Sequence, residues 1–418
     1  MAAFAGGDFF SVAALNERGN ARHSLLAHAL PLMPVAIRRL GVRRKVERDY
    51  AIYRPIHWRR PMQTYQIAGL ALAMVSALNA TPSVASEAAY EVTNLVSDGS
   101  VSAAFIDANL VNPWGIAFNP NGFVWIANNH SGTSTLYSGS GQPAPPPPQT
   151  ALIVSIPGGA PTGLVYNGTQ DFKVNGQTSP FIFSSETGVI SAWSPAVNLN
   201  NAQQVATRAG AVYKGLALAA NGTENFLYAT DFHNGRIDVF DANFHDALAM
   251  GKLKCNFNVY TPRRFAPFGI QNINGDLFVT YAKQDKDAED DVAGAGLGLI
   301  IVFDADGCAI RRFAGGWPLN APWGITLAPA SFGEFGGLLL VSNFGDGTIN
   351  AFHPRNGAFA GTLRGNNGRP IRIDGLWGLR FGNGIFDQSA DSLFFTVGPG
   401  DEAHGLYGRI DPSPRRHR

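Results

Sequence analysis

Four oxygen-bearing side chains recur at matching places in this 418-residue chain. Aligning the polar turns on their glycines (Ser131-Gly132, Thr187-Gly188, Asn234-Gly235, Asp346-Gly347) puts Asn128, Ser184, Asp231 and Asn343 at one position. Two residues later stand His130, Glu186, His233 and Gly345. Asn128, Glu186, Asp231 and Asn343 form a candidate metal set. Hard oxygens drawn from several repeats suit Ca2+, and such an ion polarises an ester or lactone carbonyl. The plainer reading is that Asn, Ser and Asp bond the N–H groups of their own turns. His130 and His233 are two repeats apart, which argues against one shared metal.

A second set is aromatic. Residues preceding a recurrent glycine read Trp114, Thr162, Lys214, Phe268, Trp323 and Trp377. In a closed ring, Phe268, Trp323, Trp377 and Trp114 become neighbours facing Thr162 and Lys214. Trp114, Phe268, Trp323, Trp377 and Lys214 are therefore candidate ligand-binding residues, a platform for a sugar ring, an aromatic group or an apolar peptide side chain. The plainer reading is that each ring wedges between repeats as core. The third set is the loop Lys283–Gly298, with Asp285, Asp287, Glu289, Asp290 and Asp291. It lacks the EF-hand glycine, so a solvated acidic loop competes with a calcium loop. The sequence holds no GxSxG, no HExxH, no phosphate-cradling loop and no Cys/His zinc spacing, so nothing points to a nucleophile.

The elements that must position these residues are repeats. Pro-Trp-Gly-Ile occurs at 113–116 and at 322–325, with looser versions between and after. Glycines 115, 163, 215, 269, 324 and 378 keep a nearly constant interval, the mark of a repeat architecture. Each opens an apolar segment, followed by a second apolar run, a Gly-ending turn and an alternating third segment such as Thr348-Ile-Asn-Ala-Phe352. Asn-Gly and Asp-Gly between alternating runs are strong hairpin signals. Six units of four short strands predict an all-β, six-bladed β-propeller over 90–414. The sixth unit runs out of strands near Asp411. Glu91–Val96 is expected to complete that blade and close the ring, which removes exposed edges. The loops entering the first strands and leaving the second strands then share one face, the default site.

Charge is divided. Residues 1–61 carry 11 Lys and Arg against 4 Asp and Glu; the remainder carries 21 against 27. A mildly acidic folded part argues against nucleic-acid binding. Residues 67–78 are a 12-residue apolar run after Arg59-Arg60 and before small residues. This predicts a signal peptide over 62–89, cleaved between Ala80 and Ala89, and an exported product. The run is too short to span a bilayer as a helix, and a buried helix or uncleaved anchor is the alternative. Residues 1–61 read as an upstream extension or long leader. Cys255 and Cys308 are assigned to outer parts of neighbouring blades and are expected to remain unpaired.

Several stretches resemble a family of exported bacterial six-bladed propellers of uncharacterised function, related in fold to NHL-repeat proteins. They are Asn109–Ala117, Tyr281–Asp285 with Asp290–Gly294, Asn320–Ile325 through Ala328–Phe332, and Asp374–Gly378. The resemblance covers 90–412 and implies a fold and export, and it supplies no catalytic residues. Some members carry a short C-terminal sorting signal, whereas this chain reads Arg415-Arg-His-Arg418. The combined expectation is a binding or scaffold module for a protein, peptide or glycan, without a membrane span in the mature chain. The alternative is a calcium-dependent lactonase- or esterase-like hydrolase.

Overall fold

The computed structural model describes residues 89–413. The upstream extension and nearly all of the signal-peptide region therefore lie outside the described residues. Six blade sheets follow one another along the chain, with a separate two-stranded hairpin formed by Lys173–Val174 and Gln177–Thr178. Their inner strands are Pro113–Phe118, Pro161–Tyr166, Tyr213–Ala220, Phe265–Ile273, Pro322–Leu327 and Leu376–Phe381. Each packs beside the inner strands of both neighbouring sheets, and the sixth returns to the first. This is the predicted closed six-bladed propeller. One 3-10 turn, Gly333–Phe335, interrupts an otherwise all-β set of described elements.

The ring closes where the missing strand predicted it. Tyr90–Ser97 pairs antiparallel with Leu406–Pro412, from Tyr90 opposite Pro412 to Ser97 opposite Leu406. The N-terminal strand thus becomes the fourth strand of blade six. Phe105–Ile106 adds a short parallel strand outside it. Apolar residues of each blade interlock with the next, as in the cluster of Ile237, Val239, Val279, Tyr281, Ile301 and Phe303 between blades three and four.

Blade three departs from the repeat. Its sheet has three strands, and residues after Phe240 run without a fourth. That segment crosses to blade four instead: the Cys255 N–H donates to the Asp306 carbonyl and the Phe257 N–H to the Gly307 carbonyl. The crossing brings Cys255 and Cys308 to a Cα separation of 4.9 Å, and they form a disulfide. The expectation of two unpaired thiols is corrected. It assumed a regular outer strand in blade three, which would have held Cys255 against its own sheet.

A hydroxyl relay explains the recurrent glycine. Thr230, Thr280, Ser342 and Thr396, all on second strands, accept from the N–H of Gly215, Gly269, Gly324 and Gly378 respectively. Each hydroxyl also donates to the carbonyl of the tip residue in the following blade: Phe268, Trp323, Trp377 and Trp114. The blades meet too closely here for a side chain. A Cβ on Gly269 would lie 2.0 Å from the Trp323 carbonyl oxygen, inside the van der Waals limit. The tetrapeptide therefore recurs because each blade needs a glycine at its contact with the next.

Candidate functional site

The tip residues at the upper mouth of the channel are all buried: Trp114, Thr162, Lys214, Phe268, Trp323 and Trp377. The aromatic arc is an interior plug. Trp114 stacks on Trp377 with centroids 3.5 Å apart, and Trp323 meets both rings edge-on at 5.9 and 5.8 Å. Phe344 stacks on the other face of Trp377 at 3.9 Å. Two indoles are anchored: Trp377 Nε1 donates to Asn112 Oδ1 and Trp323 Nε1 to the Lys214 carbonyl. Trp114, Phe268, Trp323 and Trp377 thus present no face to a ligand, and the aromatic platform is corrected to a floor. Large rings at the narrow end of converging strands find one another before they find solvent.

The calcium quartet is not brought together either. Asn128 donates to Thr133 and Thr135 within its own hairpin. Asp231 accepts from the Val212 N–H and from Asn234, and pairs with Arg236. Asn343 donates to the Pro318 carbonyl and to Thr348. The turn alignment also slips at blade two. Ser185 pairs opposite Pro161 as Asp231 does opposite Tyr213 and Asn343 opposite Pro322, so Ser184 is the relay hydroxyl, bound to the Gly163 N–H. Glu186 consequently corresponds to Asn129 rather than to His130. Of the four, only Glu186 reaches a side chain of another blade.

Glu186 instead reaches Lys214, whose buried Nζ also meets Asp290 at 3.1 Å. The ammonium stands over the Trp114 ring, 5.1 Å from its centroid. Burial pulls the Lys214 pKa down, but Glu186 and Asp290 outweigh that and hold it above its ordinary value. Lys214 is accordingly held in its charged form by two carboxylates. Two more carboxylates stand close. Glu402 accepts from Asn112 Nδ2 at 2.6 Å, and burial raises its pKa. The Asp291 carboxyl is pushed up to about 7, by burial first, with Lys214 opposing and Glu402 and Asp290 adding. Its Oδ2 is buried without a hydrogen-bond partner.

Glu186, Asp290 and Glu402 border a basin of about 460 Å³, lined also by His130, Val212, Glu289 and Asp401. The blade-four loop therefore does reach the channel mouth, but with only part of its charge. Asp285 caps the loop through the Glu289 N–H, and Asp287 pairs with Lys286. Among the described residues no cluster of three or more His, Cys, Asp or Glu has metal-site geometry. Sequence reading missed Glu402 and Asn112. No sequence signal marks them, because the two side chains bond across 290 positions of chain.

No protein-family model matches the chain. It is 35% identical over 340 residues to uncharacterized protein R648 of Acanthamoeba polyphaga mimivirus, covering 77% of this chain and 80% of the relative. Uncharacterized protein L690 of the same virus is 32% identical over 340 residues, with coverage of 77% and 86%. A streptogramin B lyase structure is similar with a TM-score of 0.47 and 14% identity, over 78% of this chain and 97% of that one. The two sequence relatives R648 and L690 are viral, where the resemblance pointed to bacterial proteins. At these identities and coverages, the chain belongs to the family of the uncharacterised mimivirus proteins R648 and L690.

Proposed function

We propose that the chain is a binding module whose acidic basin takes a cationic group, the lysine or arginine side chain of a peptide or protein partner. The supporting observation is the charge imbalance around Lys214. Glu186, Asp290, Asp291 and Glu402 surround one ammonium, and the Asp291 Oδ2 has no partner. An arriving cation would meet the basin carboxylates Glu186, Asp290 and Glu402 and relieve their mutual repulsion. The buried aromatics leave no stacking surface for a sugar ring, so a peptide fits this mouth better than a glycan. In the alternative hydrolase reading, Ca2+ would have to compete with Lys214 for Glu186, Asp290 and Glu402. Export is part of the proposal, since the Cys255–Cys308 disulfide suits an oxidising compartment. No helix among the described residues is long and apolar enough to cross a membrane.

Fluorescence anisotropy with a labelled oligolysine peptide tests this reading. Binding should weaken with salt and fall roughly tenfold or more in a D290N/D291N/E402Q variant, while oligoglutamate should not bind. Equal binding by that variant would overturn the proposal. A rise in Tm with calcium chloride, lost in the same variant, would favour the hydrolase alternative.

A further inference from the structure

The opposite mouth of the channel holds an unpaired cation. Below the aromatic plug the six inner-strand glycines line a narrow passage of about 40 Å³, bounded at its lower end by Gln271 and Arg380. The passage opens into a funnel of about 370 Å³, which the same two residues also line. Arg380 and Gln271 stand at equivalent places, each two residues after its blade's glycine. The corresponding residues in blades one to three are Ala117, Val165 and Ala217. The polar groups thus project from one side of the ring, and the other side is apolar.

Arg380 makes no hydrogen bond or ion pair among the described residues, whereas Lys214 at the upper basin is paired with Glu186 and Asp290. It keeps part of its surface open to the funnel, yet burial alone pulls its guanidinium down to about 10. Among the described residues it is the only charged one lining the funnel. The remaining walls include Phe118, Tyr166, Leu218 and Phe381. Gln271 donates to the Asn272 carbonyl from Nε2, which leaves its side-chain oxygen without a donor. An unpaired guanidinium at the foot of a funnel gains from an anion, and its planar fork matches a carboxylate with two parallel hydrogen bonds.

We propose that this lower funnel is a binding site for a small organic carboxylate with an apolar body, its head paired with Arg380 and its body against the apolar walls. The plug closes the passage above, so the ligand enters and leaves from the lower mouth. The site is independent of the acidic basin and selects the opposite charge.

Octanoate, octanol and inorganic phosphate are suitable probes, read by calorimetry and by thermal shift on the whole chain. Octanoate should bind and raise Tm, octanol should bind roughly tenfold or more weakly, and phosphate should give no comparable shift. Arg380→Met keeps the volume and removes the charge; it should abolish the octanoate effect and leave oligolysine binding at the upper mouth unchanged. Equal affinity of octanoate and octanol for the wild-type chain would overturn the proposal without any variant. So would an octanoate shift that persists in Arg380→Met. Phosphate matching octanoate would overturn the apolar half of the site.

Discussion

Asp291 is the buried carboxyl next to the upper basin. Its neighbour Asp290 extends to Lys214 from an exposed position, whereas Asp291 folds inward and finds no partner for Oδ2. Two adjacent aspartates in one loop therefore play different parts, one as counter-ion and one as a held proton. The stability consequence has a definite sign. With its pKa raised from 3.8 to about 7, native Asp291 keeps a proton that the unfolded chain has released over that interval. Its contribution is full below about pH 4, falls as pH rises, and is lost above about 7, a change on the order of a few kcal/mol. Asp291→Asn should flatten this part of the stability profile, measured by urea denaturation at pH 5 and pH 8. A pH slope unchanged by the substitution would show that the carboxyl ionises normally.

The irregular outer segment of blade three is the element that most alters the architecture. Without a fourth strand it is free to lie along the Asp304–Cys308 turn of blade four, and the disulfide fixes it there. Lys254 supports the same crossing by pairing with Asp306. The bridge closes a loop across a sequence separation of 53 residues. Removing such a constraint costs about 2–4 kcal/mol through the unfolded chain. The double variant Cys255→Ser, Cys308→Ser should lose about that much in a denaturant titration, and reductant should lower the wild-type midpoint and leave the variant unmoved. A midpoint insensitive to reductant would mean that the two thiols do not pair in solution.

At the scale of the whole ring, stability depends on closure. The relay of hydroxyls passes from blade three through blade six to blade one, ending with Thr396 donating to the Trp114 carbonyl at 2.6 Å. The N-terminal strand performs the same closure at the rim, joining the two ends of the chain in one sheet. Deleting residues 90–97 removes a ladder of several hydrogen bonds, each worth about 0.5–1.5 kcal/mol net. It also exposes the edge of Leu406–Pro412 and uncovers Tyr90's neighbours Phe332 and Phe335. The truncated chain should melt well below the intact one and aggregate from the exposed edge, as seen by light scattering during a thermal scan. An unchanged Tm would place closure elsewhere.

The sequence by itself determined the number of blades, the positions of their inner strands and the need for an N-terminal closing strand. Those features are local and repeated: a glycine that must accept a neighbouring carbonyl, a turn ending in glycine, an alternating run. Periodicity reports them because each blade makes the same contacts. What repetition could not report was what happens at the two mouths, where all six blades meet and no two contribute alike. Whether Trp377 faces solvent or Trp114 depends on the width of the channel, and a ring of six narrow strands leaves room only for a stacked plug. Asn128 and Asn343 carry the same side chain in a binding site or in a turn, and only the hydrogen bonds to Thr135 and Thr348 distinguish the two. Glu402 meets Asn112 because residues 290 positions apart are carried to one rim, and Arg380 is unpaired among the described residues because its facing positions in blades one to three are apolar. These are facts of convergence in space, so they were decided by the tertiary structure alone.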